Sequence, residues 1–371
     1  MKKLVFLFMS RSSASPNTTE RKIPTNSCGK YYIDAFKEEC YFKMLEELLK
    51  IGVIDKLDIF YESNIQPGLA NWINDKRVYS EVIPEIRFVK DYIDDDSIIF
   101  VRGGFKHWYE LLLSYKSKNW LMLYAANTGR EKWPFWDIIL NDINSNTNII
   151  DINGRYYFRF IKPTNEEVFY YKNISPIYDA CIGASHIHDK KGQYHALEAI
   201  KILNEDLSNN FSFVMPGAPR GGLNTNKMFN ELKFIKNVNY IGYVSKPQLC
   251  DIFNMSKLFI HMGNHGQNDR SVLEALACGT PVVIKSPMYH DFDLKYHADI
   301  FPEGDNPLKL ANYLKEKLKK YDQLDKERIF REYKNNYGFK EIVIPRMARL
   351  LNFMFDNKPN INNKRRLSNY I

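Results

Sequence analysis

Ser271-Val272-Leu273-Glu274-Ala275-Leu276-Ala277-Cys278-Gly279-Thr280-Pro281-Val282-Val283 reads as a short helix, a glycine stop and a buried strand. Val272, Ala275, Leu276 and Gly279 recur at helical spacing and make a small apolar face that can lie close against a sheet. Gly279 permits a left-handed exit, and Pro281-Val282-Val283-Ile284 has the unbroken apolar character of a strand covered on both faces. Glu274 falls off the apolar stripe and, on this reading, in the helix's first turn. There the positive end of the helix favours ionised side chains and polar ligands. The alternative is a solvated glutamate on a surface helix, since charged residues are mostly exposed.

The same alternation of short apolar runs with longer amphipathic stretches extends in both directions. In the first half, strands are expected at Leu4–Met9, Leu57–Tyr61, Ile98–Val101, Leu121–Tyr124, Ile149–Ile152 and Tyr157–Ile161. A helix is expected from Ala35 to Ile51. In the second half, strands are expected at Ala180–Gly183, Phe211–Met215, Val238–Ile241, Leu258–His261 and Pro281–Ile284. This is the pattern of an α/β protein with largely parallel sheets, and 371 residues suit two domains of ordinary size. Two Rossmann-like domains are implied, with ligands at the strand ends. Residues 1–170 form the first and 171–338 the second, with the join in the Pro-broken stretch from Pro163 to Tyr178. A helix from Phe339 to Phe355 contains Pro345 and is expected to kink there. The Asn-rich tail, 357–371, is expected to lack structure.

Composition narrows the function classes. With 44% hydrophobic and 26% charged residues the chain has the balance of a soluble globular enzyme. No run approaches the roughly 20 apolar residues that cross a bilayer. Met1-Lys2-Lys3 and the apolar run after it imitate a secretory signal, but a run of six residues, Leu4 to Met9, is short for one and right for a first buried strand. Five scattered cysteines with no C-x-x-C pair point to a reducing, cytoplasmic setting and to no structural zinc. The net charge of +8 is spread among interleaved acids, which argues against nucleic acid as a partner. The compact Lys364-Arg365-Arg366 cluster leaves weak attraction to an anionic membrane surface open.

The segment around Glu274 also resembles the signature helix of retaining GT-B glycosyltransferases of family 4, which reads E-x7-E and ends in A-x-G-x-P-V-V. The resemblance is strong from about residue 178 to 290 and looser before that. It implies a GT-B fold, with two Rossmann-like domains facing each other across a cleft and a kinked C-terminal helix crossing back. The first domain would take the acceptor and the second the nucleotide-sugar. In the family the second glutamate, here Glu274, holds the donor ribose. The first glutamate contacts the donor sugar, and counting back eight residues reaches Gly266 instead. Gln267, Asp269 or Arg270 takes over that contact, or the donor is held differently; Ser271 and Val272 complete the donor-side helix start.

Further phrases extend the resemblance. The family's G-R-L-x-x-x-K-G is similar to the stretch from Gly183 to Gly192, with Lys191 in the lysine position and His186 where arginine is expected. A lysine and backbone N–H groups at a helix start form an anion site, so the donor diphosphate would lie against Lys191 and Gly183. Histidine carries charge only part of the time near neutral pH. Arg220, in a turn resembling the family's V-G-x-G-P loop, can restore the missing charge by a bidentate contact. Tyr243 and Val244 lie in a phrase that receives the nucleobase in the family. On the acceptor side the candidates are Gly29 in Thr25-Asn26-Ser27-Cys28-Gly29, His107 after Gly103-Gly104, and Asn127 in place of a family histidine. Trp108, Tyr109, Trp120, Tyr124, Trp133, Phe135 and Trp136 crowd one region and suit either sugar stacking or a core.

The resemblance implies transfer of a sugar from a nucleotide-diphosphate donor to a hydroxyl of a glycan, glycoprotein or glycolipid, with retention of configuration. Lys191, Arg220 and Glu274 would carry the chemistry, and Asp94-Asp95-Asp96 reads as a solvated turn, not a metal site. The donor is a substrate, and no cofactor is implied. The rival readings are a nucleotide-sugar epimerase and a catalytically silent homologue that binds nucleotide-sugar or a partner enzyme. A nicotinamide dehydrogenase is disfavoured because no G-x-G-x-x-G follows a strand.

Overall fold

The first apolar run forms β1 (Lys3–Ser10), in which Leu4, Val5, Phe6 and Leu7 are wholly inaccessible to solvent. A strand buried on both faces belongs at the centre of a parallel sheet, and β1 takes that place. The computed structural model describes residues 1–10, 40–63, 66–73, 78–83, 86–125, 129–141, 149–151, 153–184, 186–187, 191–205, 210–219, 223–263, 269–285, 298–301 and 306–370. The chain divides into two units, one of Met1–Pro163 with Val343–Ile371 and one of Thr164–Ile342.

In the first unit β1 is followed by α1 (Cys40–Lys50), β2 (Lys56–Ser63), β3 (Gln66–Ile73), β4 (Val78–Ile83), β5 (Ile98–Arg102), α2 (Tyr109–Ser114), β6 (Trp120–Tyr124), β7 (Ile138–Asn141), β8 (Ile149–Ile150) and β9 (Tyr156–Arg159). The sheet order is β4-β3-β2-β1-β5-β6-β7-β9-β8. The six strands from β2 to β9 in that order are parallel, while β3, β4 and β8 add antiparallel edges. The strand expected at 149–152 is only the two-residue edge β8, and β7 occupies the parallel slot beside β6. The crowded aromatics are mainly core: Trp108, Trp120, Tyr124, Phe135 and Trp136 are all buried. Trp133 lies parallel to Trp136, with ring centroids 6.0 Å apart, under the Arg130 guanidinium.

The second unit contains β10 (Tyr178–Ile182), β11 (His186–Ile187), α3 (Gln193–Glu205), β12 (Phe213–Pro216), β13 (Ala218–Pro219), α4 (Leu223–Leu232), β14 (Val238–Gly242), α5 (Lys246–Asn254), β15 (Ser256–His261), α6 (Arg270–Ala277), β16 (Val282–Lys285), β17 (Ala298–Phe301), α7 (Pro307–Lys319) and α8 (Leu324–Tyr337). Its main sheet runs β14-β12-β10-β15-β16-β17, and every pair is parallel. With the two-residue β11 and β13 set aside, that is the chain order 3-2-1-4-5-6 of a Rossmann fold, whose direction reverses between β10 and β15. α3 and α7 cover one face through Leu197, Ile200, Leu310 and Leu314.

The C-terminal segment differs from its expectation. A π-helical turn at Phe339–Val343 precedes α9 (Ile344–Asp356), so Pro345 sits in the first turn of a helix. The irregularity expected at the proline is a π turn directly before it. Beyond it the Asn-rich tail is ordered, forming α10 (Ile361–Tyr370). Leu367 is fully buried, Lys364 Nζ is 2.7 Å from an Asp137 carboxylate oxygen, and the Trp120 indole donates to the Asn357 carbonyl at 2.6 Å. These partners, distant in sequence, order a stretch whose composition gives no local reason to fold.

Gly279 ends α6 at φ +72°, and a Cβ there would stand 2.4 Å from the Lys326 carbonyl oxygen. Gly52 has nearly the same backbone, φ +74°, with nothing within 4 Å of an added Cβ. Gly52→Ala should therefore cost only the left-handed strain, about 1–2 kcal/mol. Gly279→Ala should cost clearly more, and denaturant melts of the two variants compare them directly.

Candidate functional site

Three chain segments converge at the carboxyl ends of β10, β12 and β15. Gly183, directly after β10, has φ +87°, and a Cβ on it would meet Gln193 Nε2 at 3.2 Å and the Pro216 carbonyl at 3.4 Å. Gln193 opens α3 and is almost wholly buried. Just before it, Gly192 has φ +71°, and an added Cβ would lie 1.9 Å from the Met262 carbonyl oxygen. No other residue fits, so the backbone at the start of α3 touches the backbone leaving β15. The loops after β10 and β12 are laced together by a short parallel ladder in which His186 pairs with Ala218 and Ile187 with Pro219.

This packing places Lys191 against the start of α6. Asp269 is the N-cap of that helix: its Oδ1 accepts from the Ser271 backbone N–H at 3.3 Å and from the Ser271 hydroxyl at 3.0 Å. Its Oδ2 accepts a hydrogen bond from Lys191 Nζ and lies 3.3 Å from His261 Nε2, at the last residue of β15. The His261 side chain is 4% exposed, that of Asp269 11% and that of Lys191 31%. A cation, a carboxylate and an imidazole thus form a chain running from near-complete burial toward solvent. Its position beyond the strand ends, at the sheet's reversal point, is where Rossmann-type sheets bind ligands.

Glu274 does not lie in the first turn of its helix. α6 begins at Arg270, which puts Glu274 in the second turn, and at 6% exposure it is no solvated surface glutamate. Ser271 to Ala277 are all buried, so the helix lacks the polar outer face that its periodicity suggests. Arg270 is half-buried at the helix start, with Ser271 and Val272 enclosed beside it. Tyr243 is exposed and Val244 half-buried beyond β14, just before the capping box in which Ser245 and Gln248 satisfy each other at the start of α5. In the first unit His107 is exposed and stacks on Phe105, with centroids 5.4 Å apart. Gly29, Asn127, Arg220, Gln267 and the His186 side chain lie outside the described residues.

Sequence reading passed over His261 and Lys326, and took Gly192 only as the end of a motif. His261 carries a usable signal, as a polar residue at the carboxyl end of a central strand. Gly192 shows its role only through its neighbour, Met262. Lys326, fully buried on α8, donates to the carbonyls of Phe253, Asn254 and Ser256 at 3.4, 2.6 and 3.0 Å. It is a cation at the C-terminal end of α5, where the helix dipole favours one. The Cys278 thiol, at the end of α6, donates to Cys250 Sγ on α5 at 3.7 Å. That bond draws the Cys250 thiol down to about 7, while burial pushes Cys278 up.

Residues 181–336 match the family model of the glycosyl transferases group 1. The matched stretch holds the contacts described above around Lys191 and Asp269. Among solved structures, a glycosyltransferase from Rickettsia africae ESF-5 is similar over 96% of this chain and 100% of its own, with 12% identity and a TM-score of 0.57. TarM is similar over 78% of this chain at 15% identity and a TM-score of 0.54. The pneumococcal O-GlcNAc transferase GtfA, solved with UDP and GlcNAc, is similar over 80% of this chain and 67% of its own, with 8% identity and a TM-score of 0.54. The chain spans 61% of the length of TarM. No protein of curated function is matched by sequence. The fold class is GT-B, with two Rossmann-like α/β units in one chain. Among the described residues no helix is long and apolar enough to cross a membrane.

Burial lowers the Lys326 ammonium to about 8, against 10.5 for a free lysine. Between those values the unfolded chain holds the proton more tightly than the native one, so stability rises with pH across that window. The stability difference between wild type and Lys326→Met should therefore shift in favour of wild type from pH 8 to 10.5. Urea titrations of both proteins at several pH values in this range measure it.

Proposed function

We propose that the protein transfers a sugar from a nucleotide-diphosphate donor to a hydroxyl acceptor. The observation that carries this reading is the Lys191 ammonium, held at the start of α3 beside the switch point of a parallel sheet within the stretch that matches the family. In the reaction the bond from the sugar's anomeric carbon to the diphosphate oxygen breaks, a bond from that carbon to the acceptor oxygen forms, and the acceptor hydroxyl loses its proton. Negative charge grows on the departing diphosphate. A preplaced cation and oriented N–H groups stabilise it without reorganising. Lys191 supplies the cation, Arg220 is assigned as a second one, and Gly183 is assigned to the diphosphate through its backbone.

Glu274 is assigned to the donor ribose hydroxyls, as its counterpart in the resembled family is. Tyr243 and Val244 are assigned to the base. The acceptor is proposed to be a glycan or a glycan-bearing molecule, met by His107, Gly29 and Asn127 on the first unit, and the anomeric configuration is proposed to be retained. The reading invokes no metal, and it places the enzyme in the cytoplasm.

A thermal-shift panel with UDP, GDP, ADP, CMP and the common nucleotide-sugars tests the donor half of the proposal. One base should stabilise the wild type by roughly 2.7 kcal/mol at a hundredfold its dissociation constant, and Lys191→Ala should lose most of that effect. Silence with every nucleotide would sink the proposal in favour of a homologue without donor chemistry. Once a donor is found, proton NMR of the first-formed product reads its anomeric configuration, and inversion would overturn the retaining assignment.

A further inference from the structure

We propose that Asp269 is the resident anion of the Lys191 site: its Oδ2 takes, in the free protein, the hydrogen-bonding position that a donor phosphate oxygen takes in the complex. Phosphate then binds, and the nucleoside diphosphate product leaves, by exchange of one anion for another on the same ammonium. The inference rests on the nucleotide-sugar reading above and goes beyond it, because that reading assigns Lys191 to phosphate but says nothing of what holds it beforehand.

The division of labour within the carboxylate carries the argument. Oδ1 is occupied at the helix start by the Ser271 N–H and hydroxyl, while Oδ2 faces Lys191 Nζ and His261 Nε2. The cap therefore fixes where the carboxylate stands whether or not Lys191 is present. Lys191, the most exposed of the three side chains, can turn away without dismantling the helix start. Oδ1 then keeps both of its Ser271 bonds, so the carboxylate is not left without a partner, and His261 Nε2 stands 3.3 Å from Oδ2, close but without a hydrogen bond to it in the free protein. Leaving a buried charged group without a partner is the costly outcome, and this geometry avoids it in both states.

The exchange has two consequences. A preformed pair keeps Lys191 in place before the donor arrives, which limits the side-chain freedom lost on binding. It also opposes the donor, because the incoming phosphate must draw Lys191 off a carboxylate that stays in place and repels it. Nucleotide affinity is thereby held down, and product release is assisted by return of Lys191 to Asp269. This sets Asp269 apart from Gln267 and Arg270 as candidates for the absent first glutamate: it acts on the phosphate end of the donor and not on the sugar hydroxyls.

The test measures binding of UDP, GDP, ADP and inorganic pyrophosphate to wild type, Asp269→Asn, Asp269→Ser and the Lys191→Met/Asp269→Asn double variant by calorimetry. Asn and Ser both cap helices well, so the fold is expected to survive, and two variants guard against one failing. The expected result is at least tenfold tighter binding of pyrophosphate, and of whichever nucleoside diphosphate binds, in both single variants, with the gain lost in the double variant. Affinity for the matching nucleoside, which has no phosphate, should not change. Nucleotide binding by wild type with no tightening in either folded single variant overturns the exchange but leaves the nucleotide-sugar reading intact. Tightened pyrophosphate binding with no response to any nucleotide supports the exchange and sinks that reading. No binding of any probe overturns both.

Discussion

Everything in the second unit's site depends on the backbone of Gly192 lying against the Met262 carbonyl, closer than any side chain allows. That approach brings the start of α3 to the exit of β15. It sets Lys191 within hydrogen-bonding reach of the N-cap of α6, 78 residues further along the chain, and beside His261 at the end of β15. A methyl group at residue 192 would push α3 away and break the arrangement at its source. Close-packed interiors transmit such a displacement because they have few voids to absorb it.

Behind this contact is a second tier. Gly279 closes α6 against the Lys326 carbonyl, Lys326 caps α5 with its ammonium, and the Thr280 hydroxyl donates to the Phe253 carbonyl at 2.6 Å. The helix carrying Glu274 is thus held at its start by Asp269 and at its end by α5 and α8. A helix of eight residues has little stability of its own; here tertiary contacts at both ends supply it. The lysine inside this tier is tolerated because its three N–H donors meet carbonyls already crowded at a helix end.

Much of the fold was legible because parallel strands buried on both faces are written as apolar runs. Leu4–Met9, Ile98–Val101, Leu121–Tyr124 and Leu258–His261 all lie within strands of the structure. The exceptions have local causes. Gln66–Ile73 carries Pro67 and Gly68 and reads as a turn, yet it joins the sheet as an added antiparallel strand beside β2. Ile138–Asn141 follows Trp133-Pro134-Phe135-Trp136, whose aromatic signal masks a four-residue strand. The ladder between His186 and Ala218 has no sequence signature, because two residues carry no periodicity. The C-terminal helix α10 was illegible for a related reason: its order comes from Asp137, Trp120 and the core around Leu367, all remote in the chain.

For the site, the sequence by itself determined the chemical inventory: a lysine and glycine opening a helix after a strand, a glutamate in a short helix closed by glycine, and a missing acid at position 266. These are local patterns, and local backbone physics suffices to read them. Only the tertiary structure decided that Lys191 pairs with Asp269, that His261 stands behind the pair, and that Glu274 lies buried in the second turn of its helix and not in the first. The first of these facts depends on segments 78 residues apart meeting beyond the carboxyl ends of two central strands. Strand order, not strand content, sets that meeting, and a single sequence carries strand content far more openly than strand order.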